Sequence, residues 1–108
     1  MVRKLEKQEW EKFFDNVSKN LGARLVEIEI VNEEIGDQVE TEAQPLVGLF
    51  YDPKDDEFVV EAEHHTHIIP KPKEIYVEED IDGLKLVEVI KEDGEKEIIR
   101  IKTPQSLK

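Results

Sequence analysis

The chain has 108 residues, of which 27 are acidic and 15 basic, so its formal net charge at pH 7 is −12. Because Lys and Arg supply most of the affinity for phosphate-bearing surfaces, this charge argues against a nucleic acid or an anionic membrane as the partner. The absence of cysteine excludes disulfides and thiolate chemistry, and no apolar run reaches the roughly 20 residues that span a bilayer. These features predict one cytoplasmic domain, and the abundance of Glu and Lys is typical of heat-adapted proteins.

Residues 5–21 predict one amphipathic helix, because apolar side chains recur at helical spacing along a single stripe. The stripe consists of Trp10, Phe13, Phe14, Val17 and Leu21. Gly22 follows, and glycine readily takes the left-handed conformation that ends a helix. We expect the stripe to dock the helix onto a sheet.

After Gly22 the apolar residues alternate with polar ones, which is the period of β-strands. Six strands are predicted, at about residues 23–31, 37–51, 57–63, 74–79, 84–91 and 96–102, with residues 103–108 as a tail. Short turns between them, such as Asp93-Gly94, indicate antiparallel neighbours. The long second strand contains Pro45 and Gly48, which permit a bulge or a sharp bend.

The predicted architecture is an α+β single domain covering residues 1–108, with the helix packed on a curled, mostly antiparallel meander of about six strands. Such a small, barrel-like sheet has the outline of Sm-like and SH3-like domains, although a fold outline does not fix a function. Any assembly is expected to use edge strands and outward-facing apolar side chains. The apolar candidates are Val47, Leu49, Tyr51, Val87 and Val89.

All three histidines lie within four positions, in the segment EHHTHIIPKP at residues 63–72. In a straight strand His65 and His67 share one face, whereas a turn at residues 65–66 brings His64 towards His67. A metal site needs three or four converging ligands, so a carboxylate has to complete the set. The candidate carboxylates are Glu63, Asp52, Asp55 and Asp56. The histidine spacing matches no established metal motif.

Pro70 and Pro72 indicate a stiff, extended connector between strands, because each proline fixes its own φ and restricts the preceding residue. No nucleophile elbow or Gly-rich phosphate loop accompanies the histidines. We therefore favour a non-enzymatic binding or assembly module without a cofactor, for an unknown protein partner or a second copy. Its binding surface is expected at His64, Thr66, His67, Pro70 and Pro72. The alternative is a protein or enzyme that binds a divalent metal through His64, His67 and a nearby carboxylate.

Four stretches taken in order resemble a family of short bacterial and archaeal proteins, a domain of unknown function. They are EWEKFFDNVSKNLGARLVEIEIV, EIGDQVETEAQPLVGLFYDP, HHTHIIPKPKEIYVEE and the closing strand pair ending in EIIRIKTP. The most specific pieces are IGDQVE, the PLVG bend and H-x-T-H-x-I-P-x-P, supplied here by His64, Thr66, His67, Ile69, Pro70 and Pro72. The resemblance implies no activity and no catalytic residues. His64 and His67 fall on the family's histidine positions, whereas the family often has an apolar residue at His65, which favours the pairing of His64 with His67.

Overall fold

A computed structural model describes residues 2–32 and 36–104, and at residues 37–42 it describes the backbone alone. The described part contains one α-helix, α1 (Trp10–Lys19), preceded by a 3-10 turn at Lys7–Glu9. The strands are β1 (Val2–Lys4), β2 (Leu25–Asn32), β3 (Gly36–Asp52), β4 (Glu57–Ala62), β5 (Thr66–Pro70), β6 (Pro72–Asp80), β7 (Gly83–Lys91) and β8 (Lys96–Lys102). They form one antiparallel sheet in the order β1-β6-β7-β8-β2-β3-β4-β5.

The predicted α+β class and the six-stranded, barrel-like meander with an Sm or SH3 outline are wrong. The protein is mostly β-strand with one short helix, and its eight-stranded sheet is open, with β1 and β5 at its two ends. Two strands are absent from the prediction for different reasons. Strand β1 is short and carries two basic residues, and β5 contains a proline, which predicts an interruption of the hydrogen-bond ladder. The predicted tail at residues 103–108 and the connection between the first two predicted strands lie partly outside the described residues.

The helix is shorter than the predicted span of residues 5–21. Leu5 continues the β1 ladder, because its N–H donates to the Ile75 carbonyl at 2.9 Å. The Glu9 carboxylate then accepts a hydrogen bond from the Glu6 N–H at 2.8 Å, which satisfies a free donor at the start of the first turn. The helix ends at Lys19, before the predicted stop, and Gly22 has the predicted left-handed conformation with φ at +66°. In the part of the chain described by the structure, no helix is long and apolar enough to cross a membrane.

Strand β3 bends and thereby divides the sheet into two halves. Its first half pairs with β2 as far as Pro45, opposite Leu25, and its second half pairs with β4 from Leu46 onwards. The register shifts between Leu46 and Gly48, so the predicted bend is confirmed. One half of the sheet is β1-β6-β7-β8-β2 and the other is β3-β4-β5. Their inner faces and α1 enclose one continuous core.

The core contains the residues that the alternation in β4 predicts, since Phe58, Val60 and Ala62 are all buried. The apolar stripe of α1 also docks as predicted, with Trp10 and Phe14 almost fully buried and the remaining three residues packed against the core.

Four of the five apolar residues expected on the outer surface are buried, so that expectation is wrong for Leu49, Tyr51, Val87 and Val89. Val47, at 52% exposure, does face solvent. Alternation separates the two faces of a strand but does not tell which face meets the helix. In the second half of β3 both faces are apolar, and α1 selects one of them by packing Trp10 edge-on against Tyr51, with ring centroids 5.0 Å apart.

Lys71 forms the corner between β5 and β6, and its φ is +52°. Its N–H donates to the Asp56 carbonyl at 2.9 Å, and its carbonyl accepts from the Glu92 N–H at 3.1 Å. The stiff connector predicted from the two prolines is therefore a single residue, with Pro70 ending β5 and Pro72 beginning β6. This corner carries the chain from one half of the sheet to the other.

Candidate functional site

The outer edge of β5 has backbone groups that its neighbour β4 does not use. Ala62 donates to the His65 carbonyl at 2.8 Å, and Lys71 donates to Asp56 at the other end of the hairpin. Because hydrogen-bonded pairs alternate along an antiparallel ladder, His67 and Ile69 bond to β4 between these points. The backbone groups of the intervening residues point away from β4. These residues are Thr66, Ile68 and Pro70.

Nothing in the described ranges pairs with this outer edge, since β5 is the last strand of the sheet order. Thr66 and Ile68 each present an N–H and a C=O, whereas Pro70 presents a C=O alone. An unpaired row of this kind is a template for another strand. Three of the five predicted binding-surface residues, Thr66, His67 and Pro70, thus lie on β5.

A row of apolar side chains runs across the outer face of this half of the sheet. Phe50 lies opposite Val59, and Val59 lies opposite Ile68. Phe50 and Val59 are partly exposed, and Ile68 at the edge is 48% exposed. The row therefore continues the free edge of β5 with an apolar surface, which we call the outer row.

The opposite edge of the same half is closed by the helix. The Ser18 hydroxyl donates to the Leu49 carbonyl at 2.7 Å and accepts from the Leu49 N–H at 2.9 Å. The side chain thus replaces the missing strand beyond β3 at this position. Because Leu49 is fully buried, both of its backbone groups need such a partner.

The strand at the far end of the sheet, β1, is short and carries charged side chains. It has three residues, and Arg3 and Lys4 are paired with Glu79 and Glu74 on β6 at 3.8 and 3.6 Å. Short edge strands with charged side chains are disfavoured as templates for strand addition. Compared with β1, the edge of β5 combines free backbone groups with uncharged side chains.

Behind the β5 edge, on the inner face, His67 reaches across to β8. Its Nε2 lies 2.6 Å from Glu97 Oε1, and the two side chains are 13% and 4% exposed. Lys91 Nζ lies 3.9 Å from the other oxygen of Glu97. A carboxylate buried this deeply needs such partners, because desolvation of an unpaired charge is costly. The pair joins β5 in one half of the sheet to β8 in the other.

Lys91 extends the buried pair into a network with Glu95 and Asn32. Lys91 Nζ lies 2.8 Å from Glu95 Oε1, and the Asn32 amide donates to Glu95 Oε2 at 3.3 Å. These two hydrogen bonds lower the pKa of Glu95 below its usual value. Burial alone lowers the pKa of Lys91, but the hydrogen bond to Glu95 and the charges of Glu95, Glu97 and Asp93 outweigh it, so the pKa is raised. The pair stabilises the fold until the pH falls through the Glu95 pKa or rises through the Lys91 pKa.

The remaining histidines lie on the exposed turn that precedes β5. His64 Nε2 lies 3.1 Å from Glu63, and both side chains are mostly exposed. The ring of His65 lies 6.1 Å from the ring of His67. The structure thus gives His64 and His67 different carboxylate partners, one on the surface and one in the core. The metal site built on this histidine pair stays a prediction.

In the described part of the chain, the one set of three ligand-type side chains with atoms within 4.8 Å of one another contains no histidine. It consists of Asp52, Asp55 and Glu57 at the turn between β3 and β4. Asp52 Oδ1 already accepts hydrogen bonds from the N–H groups of Lys54 and Asp55, at 2.9 and 3.4 Å. Asp52 thus has a structural role in the turn, where aspartate commonly bonds the backbone that follows it.

Tyr51, which lies beside this turn, has a strongly raised pKa. Burial is the largest cause, and the hydrogen bond to Asp56 at 2.7 Å and the charges of Asp56, Asp52 and Glu11 add to it, so the pKa is raised to about 12. Because this pKa exceeds the value of 10 for a free tyrosine, the contribution of Tyr51 to stability is complete below pH 10 and is lost as the pH rises towards 12.

We expect a spectrophotometric titration to show one of the two tyrosines ionising near pH 12 and this step to vanish in Tyr51→Phe. Asp56→Asn is expected to lower the pKa of Tyr51, because it removes a negative charge next to the Tyr51 hydroxyl. Asparagine tolerates the positive φ of residue 56, which is +54°. A Tyr51→Phe titration curve that retains the late step contradicts this assignment.

A separate cleft of about 360 Å³ lies between α1 and the turn that joins β6 to β7. Its apolar lining includes Phe13, Val17, Leu21 and Leu84. Arg24, also in the lining, donates to the backbone carbonyls of Asp82 and Ala23 at 3.0 and 2.9 Å. The guanidinium thus already has hydrogen-bond partners in the protein, and the cleft contains none of the histidines.

A family model described as "Family of unknown function (DUF5335)" matches residues 1–108. The chain belongs to the DUF5335 family. A relative from Aquifex aeolicus (strain VF5), described as "Uncharacterized protein", is 52% identical over 102 residues, which are 94% of this chain and 92% of the relative. No solved structure matches the chain. The resemblance to a family of unknown function is thus confirmed, and the H-x-T-H-x-I-P-x-P segment as a mark of the DUF5335 family stays a prediction.

Among the described residues of this DUF5335 chain, Glu97 is the buried polar residue that the sequence interpretation misses. A signal for it exists, because alternation along β8 places Glu97 on the same face as Ile99 and Ile101. A glutamate on the core face of a strand requires a buried partner, and His67 is the chain's partly buried histidine. The sequence does not identify which histidine is the partner of Glu97, because the choice depends on how β5 packs over β8.

Proposed function

We propose that this protein is a binding module that accepts an extended segment of a partner protein as an additional strand on β5. The observation that carries the proposal is the outward set of backbone groups at Thr66, Ile68 and Pro70, which have no partner among the described residues. In strand addition, backbone hydrogen bonds provide affinity and alternate side chains provide specificity. The apolar residue at the centre of the edge, Ile68, suits that geometry.

The surroundings of β5 support the proposal because two other described edges are less accessible to a new strand, while the first half of β3 pairs with β2 alone. Ser18 bonds both backbone groups of Leu49 in the second half of β3, and β1 is short and charged. The His67–Glu97 pair and the Lys71 corner fix β5 against the opposite half of the sheet. An edge held rigidly in the extended conformation requires little ordering when a segment adds to it.

The direct test uses seven-residue peptides of the form Thr-X-Thr-Val-Thr-X-Thr, where X is Ala, Lys or Glu. In the free protein we expect the amides of Thr66 and Ile68 to exchange hydrogen faster than those of His67 and Ile69, which bond to β4. At millimolar concentration of at least one peptide, the Thr66 and Ile68 amides are expected to become protected. NMR at single-residue resolution measures both states.

Two matched controls isolate the backbone contribution. With the peptide valine opposite Ile68, N-methylation of that valine removes an N–H that faces β5, whereas N-methylation of a neighbouring threonine removes one that faces away. On the protein, Ile68→Pro removes the outward N–H and Ile68→Ala keeps it. The proposal is overturned if Thr66 and Ile68 are already as protected as His67 and Ile69 in the free protein, or if no peptide protects them.

A further inference from the structure

Carboxylates lie on both sides of the outer row. On β4, Glu57 and Glu61 are two residues before and after Val59, so all three share the outer face. Glu57 also lies opposite Asp52, and their carboxylates, together with that of Asp55, come within 4.8 Å of one another. Glu61 is exposed on the other side of the row. The free edge is therefore apolar at its centre and negatively charged on both flanks.

The two flanking positions of β5 itself are occupied by short side chains. Thr66 lies opposite Glu61, and Pro70 lies opposite Glu57. Neighbouring strands are about 4.8 Å apart, so an added strand lies about 10 Å from β4. A Lys or Arg on the added strand spans most of this distance over Thr66 or Pro70, and the glutamate side chain reaches the remainder. A shorter or acidic side chain makes no such contact.

We infer that the strand accepted by β5 carries an apolar residue opposite Ile68 and a basic residue two positions before and two positions after it. This inference rests on the proposed function and names the chemistry of its partner. The apolar residue extends the outer row by one strand, and the basic residues pair with the carboxylates on its two flanks. Cross-strand pairs of these kinds stabilise a sheet, whereas like charges destabilise it.

The net charge of −12 favours a basic partner segment over a second copy of the chain. Two copies joined through β5 bring the same acidic flanks together, which is electrostatically unfavourable. A basic segment is attracted both by the local carboxylates and by the overall charge. The occupant to which the structure points is thus an extended segment of a different protein, alternating apolar and basic residues on one face.

The peptides with Lys, Ala or Glu at the two X positions test this inference by fluorescence anisotropy. We expect the Lys peptide to bind at least about tenfold more tightly than the Glu peptide, since each close ion pair contributes modestly and the two act together. The ratio is expected to shrink between about 0.1 M and 1 M salt, where the screening length falls from about 10 to about 3 Å.

A pair of double variants assigns the charge effect to the flanks of the outer row. Glu57→Gln with Glu61→Gln removes both flanking charges, and Glu11→Gln with Asp15→Asn removes the same number from the exposed surface of α1. We expect the first to abolish the preference for Lys over Glu and the second to retain it.

Three outcomes oppose the inference in distinguishable ways. Equal binding of the Lys and Glu peptides, with Thr66 and Ile68 protected, leaves the proposed function intact and overturns the basic partner. Binding of no peptide overturns the proposed function as well. A solution mass of twice the 12.6 kDa monomer that falls to the monomer in Ile68→Pro identifies a second copy as the occupant and overturns the partner of different sequence.

Discussion

Replacing His67 with alanine is expected to lower the free energy of unfolding by about 3–5 kcal/mol, because it leaves Glu97 buried without its closest partner. The substituted ring lies 2.6 Å from a carboxylate whose side chain is 4% exposed, and Lys91, at 3.9 Å, is the remaining charge nearby. Urea unfolding measures the loss. His64→Ala is the matched control, since its ring is 77% exposed and its loss is expected to stay within about 0.5 kcal/mol.

The apolar double variant separates a buried charge penalty from a loss of packing. His67→Leu with Glu97→Leu removes both members of the pair and keeps apolar volume in their place, so we expect a smaller loss than for His67→Ala alone. A His67→Ala variant as stable as His64→Ala shows instead that the pair does not hold β5 against β8. Because the His67–Glu97 pair holds β5 against β8, the same variants are expected to raise amide hydrogen exchange along β5.

Replacing Phe14 with alanine is also expected to cost about 3–5 kcal/mol, through the cavity that it leaves at the centre of the core. The Phe14 side chain is fully buried, and its ring centroid lies 4.8 Å from that of Phe58 and 5.0 Å from that of Phe13. Phe13→Ala is the control of equal volume change, and a smaller loss is expected because Phe13 is only partly buried.

The Phe14 prediction has a structural readout beyond stability. Phe14 anchors the helix whose Ser18 covers Leu49, so a loosened helix is expected to raise hydrogen exchange at the Leu49 amide. Equal losses of stability for Phe13→Ala and Phe14→Ala, with Leu49 still protected, contradict the view that this ring fixes α1 to the sheet.

Much of the local structure follows from the sequence, where one face of an element is clearly apolar. The helix stripe from Trp10, the inward face of β4 and the turn at Asp93-Gly94 are all predicted from periodicity and turn chemistry. Each of these signals depends on neighbours in sequence. They predict individual helices, strands and turns, and they do not predict how these elements pack together.

The strand at residues 66–70 shows why the rest is not predictable. Proline reads as a break because it lacks an N–H, yet the groups of Pro70 point away from β4, where no N–H is required. That orientation exists only because β5 is an edge strand, and edge position is a property of the whole sheet. The interpretation of residues 70–72 as a crossing connector is therefore right for Lys71 and wrong for Pro70 and Pro72, which belong to β5 and β6.

The sequence predicts five residues for the binding surface, and it does not predict how they are arranged. Thr66, His67 and Pro70 lie on β5, but His67 faces the core and Pro72 is buried at the start of β6. The partner of His67 lies 30 residues away, so no local pattern indicates it. The metal alternative based on His64 and His67 stays a prediction, to be tested by native mass spectrometry with Zn²⁺ and the double alanine variant.

The double hydrogen bond of the Ser18 hydroxyl to Leu49 has a consequence for stoichiometry. A protein whose sheet has free strand edges at both ends can polymerise, because each added copy presents another free edge. Here Ser18 occupies the backbone groups of Leu49, and the ion pairs of β1 disfavour addition at the far end of the sheet. Under the proposed function, this asymmetry is expected to favour a one-to-one complex over a fibre of repeated copies of the chain.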